Sequence, residues 1–324
     1  MKHNVLVTGG AGYIGSHVAR QLHEAGHDVT VFDNLSTGYK DAVIGAKLVE
    51  GDLSSDKIEK LLAQEKFHAI LHFAASIIVP ESVENPLKYY SNNTANSLRL
   101  LSLCQSYGVK RFIFSSTAAV YGIPPEGVAT EETPTNPINP YGQSKLMTEK
   151  ILIDHSKISD FRFVALRYFN VAGSDPELRQ GLRNPKSTLL IKVCVQAALG
   201  KRNKVTLYGT DYPTHDGTCI RDYIHVEDLA AAHLNALNYL DTGGTSQILN
   251  CGYGHGSTVR EVLAMVEKVS GKKLTVEEAE RRAGDPPTLI SKAEKIRHSL
   301  GWKPKYDDLE LIVRNAYDWE KTLK

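Results

Sequence analysis

Cysteine is scarce. The 324 residues hold four, Cys104, Cys194, Cys219 and Cys251, and no two form a Cys-x-x-Cys pair. That excludes a disulfide scaffold and a zinc ribbon, and it fits isolated thiols in a reducing compartment. Long apolar runs are lacking too: none approaches the ~18–20 residues that span a bilayer. The N-terminus has no long apolar core followed by a cleavage site. The expectation is therefore a cytoplasmic protein with no membrane partner. Charge of one sign is also missing, since 38 Lys and Arg against 37 Asp and Glu leave a net +1. A nucleic-acid partner would call for a basic excess, so none is expected. The sequence shows neither repeats nor low-complexity tracts. What remains is an ordinary composition, 42% hydrophobic and 23% charged, long enough for about two domains at roughly 150 residues each.

Through the first half, short apolar runs alternate with amphipathic stretches. Residues 5–7, 29–32, 69–73, 111–114 and 163–167 are predicted strands. Residues 14–25, 58–64 and 97–107 are predicted helices, with another opening near Tyr141. Continuous apolar strands separated by helices predict an α/β fold, a doubly wound parallel sheet covered on both faces. After Asn170 the pattern loosens into loops rich in Gly, Pro and Asn. Helical periods return at 226–240 and 258–270. A second, smaller α/β region with long loops is expected there, and long loops carry binding work.

Directly after the first strand stands Thr8-Gly9-Gly10-Ala11-Gly12-Tyr13-Ile14-Gly15. Gly9 permits a tight turn, Gly12 lets a pyrophosphate approach the backbone, and Gly15 lets the following helix pack closely. The helix start then offers free N–H groups and a positive dipole end to phosphate. Asp33 ends the second strand and suits the adenosine ribose hydroxyls. Its charge would repel a 2′-phosphate, so NAD is expected rather than NADP. Asp52 and Leu53, after the third strand, are placed beside the adenine. Residues 1–170 are thus expected to bind the dinucleotide. Residues 171–324 would mainly bind substrate, with some segments returning to the first domain.

Tyr141 and Lys145 are four residues apart, hence on one helical face, and Pro137 and Pro140 just before them suit a helix start. Upstream, Ser115-Ser116-Thr117 closes a strand with three hydroxyls. A free Tyr has a pKa near ~10, so a base working at neutral pH needs about 3 units of depression, or ~4 kcal/mol. A cation ~4 Å away supplies ~4 kcal/mol at an effective dielectric of ~20. Lys145 is expected to provide most of it, with Tyr141 the general base on a sugar hydroxyl that Thr117 orients.

Together these residues resemble the extended short-chain dehydrogenase/reductases of the NAD-dependent epimerase/dehydratase family. Within it the chain is similar to the UDP-glucose 4-epimerase group along essentially its whole length. Arg221-Asp222-Tyr223-Ile224-His225-Val226 and Arg282-Ala283-Gly284-Asp285 are the most specific segments. The resemblance implies epimerisation at C4 of UDP-hexoses through a transient 4-keto sugar, by a homodimer that needs no metal. It implies cofactor contacts from Tyr13, Ile14, Asn34, Leu35, Ser36, Thr37, Gly38, Phe73, Ala74, Ala75, Asn92, Ser115 and Phe169, besides Tyr141 and Lys145. For the substrate it implies Asn170 on the diphosphate sugar, Arg221 and Arg282 on the phosphates, Tyr208 stacked on uracil and Asp285 on the uridine ribose. Thr188, Leu189, Thr206 and Leu207 complete that set. Leu289 would border the hexose C2 substituent; lacking a phenol ring, it would leave room for an N-acetyl group.

The chain departs from many relatives at Ile77, where a Lys is usual, and at Pro80, Thr188 and Ile191. Ala118-Ala119 after Thr117 replaces the Asp-Glu of the related dehydratases, which speaks against dehydration. The alternatives kept open are a UDP-glucuronate or UDP-pentose 4-epimerase and, from another class, a non-catalytic NAD-binding regulator.

Overall fold

The computed structural model describes residues 2–282 and 284–323. Ala283, inside the second of the specific segments, lies outside them. Strands β1 (Asn4–Thr8), β2 (Asp28–Asp33), β3 (Lys47–Glu50), β4 (Ala69–His72) and β5 (Arg111–Ser115) form at the apolar runs. Helices α1 (Tyr13–Glu24) and α2 (Asp56–Gln64) fall between them. Val5 and Val7 of β1 pack on one face with Val18 and Leu22 of α1, while Leu6 packs on the other with Ile58 and Leu100. Both faces are covered, which is why the strand carries no polar alternation.

Farther along lie β6 (Val128–Ala129), β7 (Arg162–Tyr168), β8 (Asn170–Ala172), β9 (Val205–Tyr208), β10 (Ile220–Arg221) and β11 (Tyr223–His225). They are followed by β12 (Gln247–Cys251), β13 (Ser257–Thr258), β14 (Val276–Ala279) and β15 (Thr288–Ser291). The main sheet is parallel with seven strands in the order β12-β7-β5-β4-β1-β2-β3. The winding reverses between β1 and β4, and a ligand crevice opens at such a reversal, beyond the strands' C-terminal ends. The second half feeds β12 back into this sheet. It also builds a four-stranded sheet, β13-β10-β15-β6, whose edge strand β6 comes from the first half.

Two short helices, α3 (Val79–Glu84) and α4 (Pro86–Tyr89), lead into a π-helical turn at Tyr90–Ala95 and then α5 (Asn96–Tyr107). Helix α6 (Pro140–Lys157) starts where Asn139 caps it, accepting from the Gly142 N–H at 2.9 Å. Such a cap stabilises by about 1 kcal/mol. Helices α7 (Leu190–Ala198) and α8 (Val226–Asp241) belong to the second half, yet α8 packs against α1 on the main sheet. The predicted strand at 69–73 stops one residue early, because the N–H groups of Phe73 and Ala74 both turn to the Thr8 carbonyl, at 2.8 and 3.1 Å. Among the described residues no helix is long and apolar enough to cross a membrane.

Candidate active site

The glycine turn closes the crevice at the end of β1. Gly9 has φ +73°, and a Cβ there would lie 2.5 Å from the Ala74 nitrogen. A Cβ on Gly15 would lie 2.3 Å from the Gly9 carbonyl, so this glycine brings the helix onto the turn rather than onto the strand. Gly12 meets only the Gly9 carbonyl, at 3.3 Å, and as the N-cap of α1 it provides no side-chain cap. The first N–H groups of the helix therefore remain for an anion, and the cradle fits a dinucleotide pyrophosphate. Asp33 is buried at the end of β2, where Oδ2 accepts from the Ala11 N–H at 2.9 Å and Oδ1 from the Leu35 N–H at 2.8 Å. Each oxygen keeps a lone pair for a ribose hydroxyl. Leu35 itself sits at φ +58°, an uncommon conformation for a leucine. Asn34 donates to Asp52 at 2.7 Å and accepts from Ser36, while Thr37 is exposed and Gly38 rests on Ala11. The Leu53 side chain packs in the apolar cluster under α2, which leaves its backbone as the part available to a ligand.

At the neighbouring strand ends, the three hydroxyls after Phe114 divide their work. Ser115 bonds the Tyr168 hydroxyl, Ser116 donates to Glu149, and Thr117 Oγ1 accepts from the Ala119 N–H at 3.1 Å. Tyr141, Thr117 and Lys145 are all buried. Lys145 Nζ donates to the Ser115 carbonyl at 2.8 Å and lies 4.9 Å above the Phe114 ring. Burial pulls its ammonium down to about 7, against the pull of Glu149 upward. Burial also pushes the Tyr141 phenol up, with the nearby Thr117 hydroxyl acting the other way. The water exclusion that would strengthen their attraction also penalises both charged forms.

Phe73 touches the His233 ring, at 4.8 Å between centroids, and Ala75 is half-buried after Ala74. Asn92 donates to Ser76 at 3.0 Å. Its neighbour Asn93, which the sequence did not single out, is the buried one. Asn93 accepts from the Ser76 N–H at 2.7 Å and donates to the Ser76 carbonyl and the Ser144 hydroxyl, tying the loop after β4 to α6. Its only sequence signal is a polar pair ahead of a helix.

Of the residues expected on the substrate, Thr206, Leu207 and Tyr208 lie on β9, Arg221 on β10 and Leu289 on β15, with Arg282 and Asp285 in the loop before β15. Arg221 pairs across the strands with Leu289, and its Nη2 holds Asp285 at 3.0 Å. The Arg282 guanidinium lies 3.9 Å over the Tyr208 ring. Arg282 thus stands on the ring expected to face uracil, so it must swing to a phosphate for both roles to be met. Thr206 and Tyr208 share the half-buried face of β9, but the Leu207 side chain points into the interior, so only its backbone faces a ligand. Leu289 packs against the apolar cluster that includes Ala118, Tyr121, Ala129 and Phe169, which extends toward the Thr117 strand end. Asn170 lines a cleft with Tyr13, Leu189, Lys192 and Trp319, and Thr188 is exposed at its edge.

Among the described residues one other ligand-type cluster, His3, His68 and Asp241, lies at the opposite, N-terminal end of the sheet. Its two imidazoles stack face to face at 3.7 Å, each bonded to the one carboxylate, and Arg111 Nε reaches that carboxylate at 2.9 Å. Parallel rings cannot aim both nitrogens at a shared ion, and the carboxylate charge is already answered; this is a hydrogen-bonded cluster.

Residues 5–252 match the NAD dependent epimerase/dehydratase family. The chain belongs to that family. It is 54% identical over 322 residues to the UDP-glucose 4-epimerase of Azospirillum brasilense, covering 99% of this chain and 92% of that protein. Among solved structures it superposes on the UDP-glucose 4-epimerase from Brucella ovis in complex with NAD, with a TM-score of 0.95, 42% identity and 98% coverage of each chain. It also superposes on the UDP-Glc/GlcNAc 4-epimerase from Campylobacter jejuni, with a TM-score of 0.87, 53% identity and 99% coverage of each.

Proposed function

We propose that the protein is an NAD-dependent UDP-hexose 4-epimerase that interconverts UDP-glucose and UDP-galactose. What supports this reading is that Tyr141 and Lys145, both buried and four residues apart on α6, lie with Thr117 at the end of β5, where Lys145 Nζ reaches the Ser115 carbonyl. Bound NAD supplies reversible hydride transfer at C4, by way of a transient 4-keto sugar. The turn at Gly9, Gly12 and Gly15 holds its diphosphate and Asp33 its adenosine ribose. Tyr141 takes the proton of the sugar 4-hydroxyl and later returns it, with Thr117 fixing the direction of that hydroxyl. Arg221 and Arg282 neutralise the UDP diphosphate and anchor it while the sugar turns over. Residues 1–170 serve the dinucleotide and most of 171–324 serve the substrate. A panel of UDP-sugars tests the reading: UDP-galactose should convert to UDP-glucose, whereas a regulator would convert nothing and a pentose or glucuronate epimerase would favour those sugars.

The site also accepts the N-acetylated pair. The half-buried Leu289, packed against the cluster that contains Phe169, is a smaller neighbour for the C2 substituent than a tyrosine, and the Campylobacter jejuni relative is a UDP-Glc/GlcNAc enzyme. Overfilling a packed site costs ~1–3 kcal/mol, or roughly 5- to 150-fold. Leu289→Tyr should lower kcat/KM for UDP-N-acetylglucosamine by that factor and spare UDP-glucose; an equal loss on both sugars would remove Leu289 as the gate.

The working form is a cytoplasmic homodimer. Helices α5 and α6 lie side by side and leave Leu98 48% and Met147 37% exposed, an apolar strip available to the same strip on a second copy. Leu101 and Ile151 of the same helices pack inward instead.

A further inference from the structure

The reaction as proposed has no task for Glu149, yet this carboxylate is wholly buried beside the site. It follows Lys145 by four residues on α6 and so shares its face. Arg167 on β7 holds it from two sides, Nε donating to Oε1 at 2.9 Å and Nη2 to Oε2 at 2.6 Å. The Ser116 hydroxyl, between Ser115 and Thr117, donates to Oε1 at 2.5 Å. Arg167 is fixed in turn by the Tyr121 hydroxyl at 3.0 Å, which donates to Asn250 at 2.6 Å. A buried ion pair adds little stability over well-packed apolar side chains, so stability alone is a weak reason for placing one here. Among the described residues the other groups facing Lys145 supply no negative charge. They are the Phe114 ring, the Ser115 carbonyl, Tyr141 on its own helix and His72 on β4, whose imidazole burial and Lys145 hold at about 3 and hence neutral.

We propose that Glu149 is a positioning residue of the reaction: clamped by Arg167 and Ser116, its carboxylate keeps Lys145 protonated and the Thr117 strand end in place. This rests on the epimerase reading. Tyr141 phenolate with Lys145 ammonium, and neutral Tyr141 with neutral Lys145, carry the same net charge, so one proton is shared between two sites. Only the first arrangement contains the base. Glu149 favours it, because its field acts on the ammonium.

The test is the pH profile of UDP-galactose epimerisation by the NAD-loaded enzyme carrying Glu149→Gln, which keeps the shape and the Ser116 bond. Without the carboxylate the shared proton leaves more easily but from the wrong group. The acid limb of kcat should therefore move down by about one pH unit while the plateau falls about tenfold, with KM and bound NAD unchanged. Glu149→Gln/Arg167→Gln removes the charge of the stranded guanidinium as well, so if the single variant does not fold the double should move the limb in the same direction by a smaller amount. A lower plateau with an unmoved acid limb would reduce Glu149 to a structural role and overturn the proposal. Wild type inactive on UDP-galactose would instead overturn the epimerase reading itself.

Discussion

At the residue scale the account turns on Tyr141 and Lys145. Both are buried, and burial acts against the charge of each. A phenol in that position serves as base only where its environment favours the charged pair, so removing the hydroxyl removes the function and little else. Tyr141→Phe should lower kcat by about 10²- to 10⁴-fold while retaining NAD, read from nucleotide released on denaturation; near-normal kcat would mean another group is the base. Arg221 is only partly buried and already holds Asp285. Arg221→Ala should raise KM for the UDP-sugar by about 10- to 100-fold, a charged hydrogen bond being worth ~1.5–3 kcal/mol. An unchanged KM, or loss of NAD with it, would move the diphosphate site elsewhere.

At the scale of elements, the sequence is most legible where one local rule decides. The glycine turn, the capped start of α6 and the buried strands β1, β2, β4, β5 and β7 are of this kind. Each side chain there answers to its own backbone or to one neighbouring layer. Less legible is what depends on distant partners. The π-helical turn at Tyr90–Ala95 has no periodic signature, because it is set by Asn93 bonding Ser76 and Ser144 from other elements. Pairing of β6 with β15 brings together segments more than 150 residues apart in sequence. Arg282 over Tyr208 is a rotamer choice that no motif records. Two predictions belong here. Gly15→Ala drives a Cβ against the Gly9 carbonyl, so it should lower the Tm by the equivalent of about 1–3 kcal/mol and shed NAD; a variant that keeps both would show that the turn yields. On α5 and α6, Leu98→Lys with Met147→Lys places charge on the proposed dimer strip, and sedimentation should then find a monomer where wild type is a dimer.

For the whole molecule, the doubly wound sheet places its crevice at the reversal between β1 and β4, and residues just before α7, Leu182 and Leu189, line a cleft with Tyr13 at the start of α1. The core that holds this arrangement contains histidines with little access to water. Burial holds His72 at about 3, and His225 and His233 at about 4, below the ordinary value of about 6.5. The unfolded chain takes up these protons as pH falls through about 6.5 while the folded chain does not. Their contribution is therefore complete above that pH and is lost below it, by about 1.4 kcal/mol per unit for each group, until the folded values are reached. The Tm should ease down from pH 8 to 7, where the unfolded chain carries a Lys145 proton that the folded chain holds only in part, and drop steeply between 6.5 and 4.5 as the histidines take over; a level curve below 6.5 would mean these imidazoles are not held neutral. The central claim is C4 inversion by hydride removal and return on one enzyme. The most direct measurement is NMR of UDP-galactose deuterated at C4, incubated with the purified protein and no added nucleotide. The account predicts UDP-glucose with the deuterium retained at C4; no conversion, or UDP-glucose with the label lost to solvent, would contradict it.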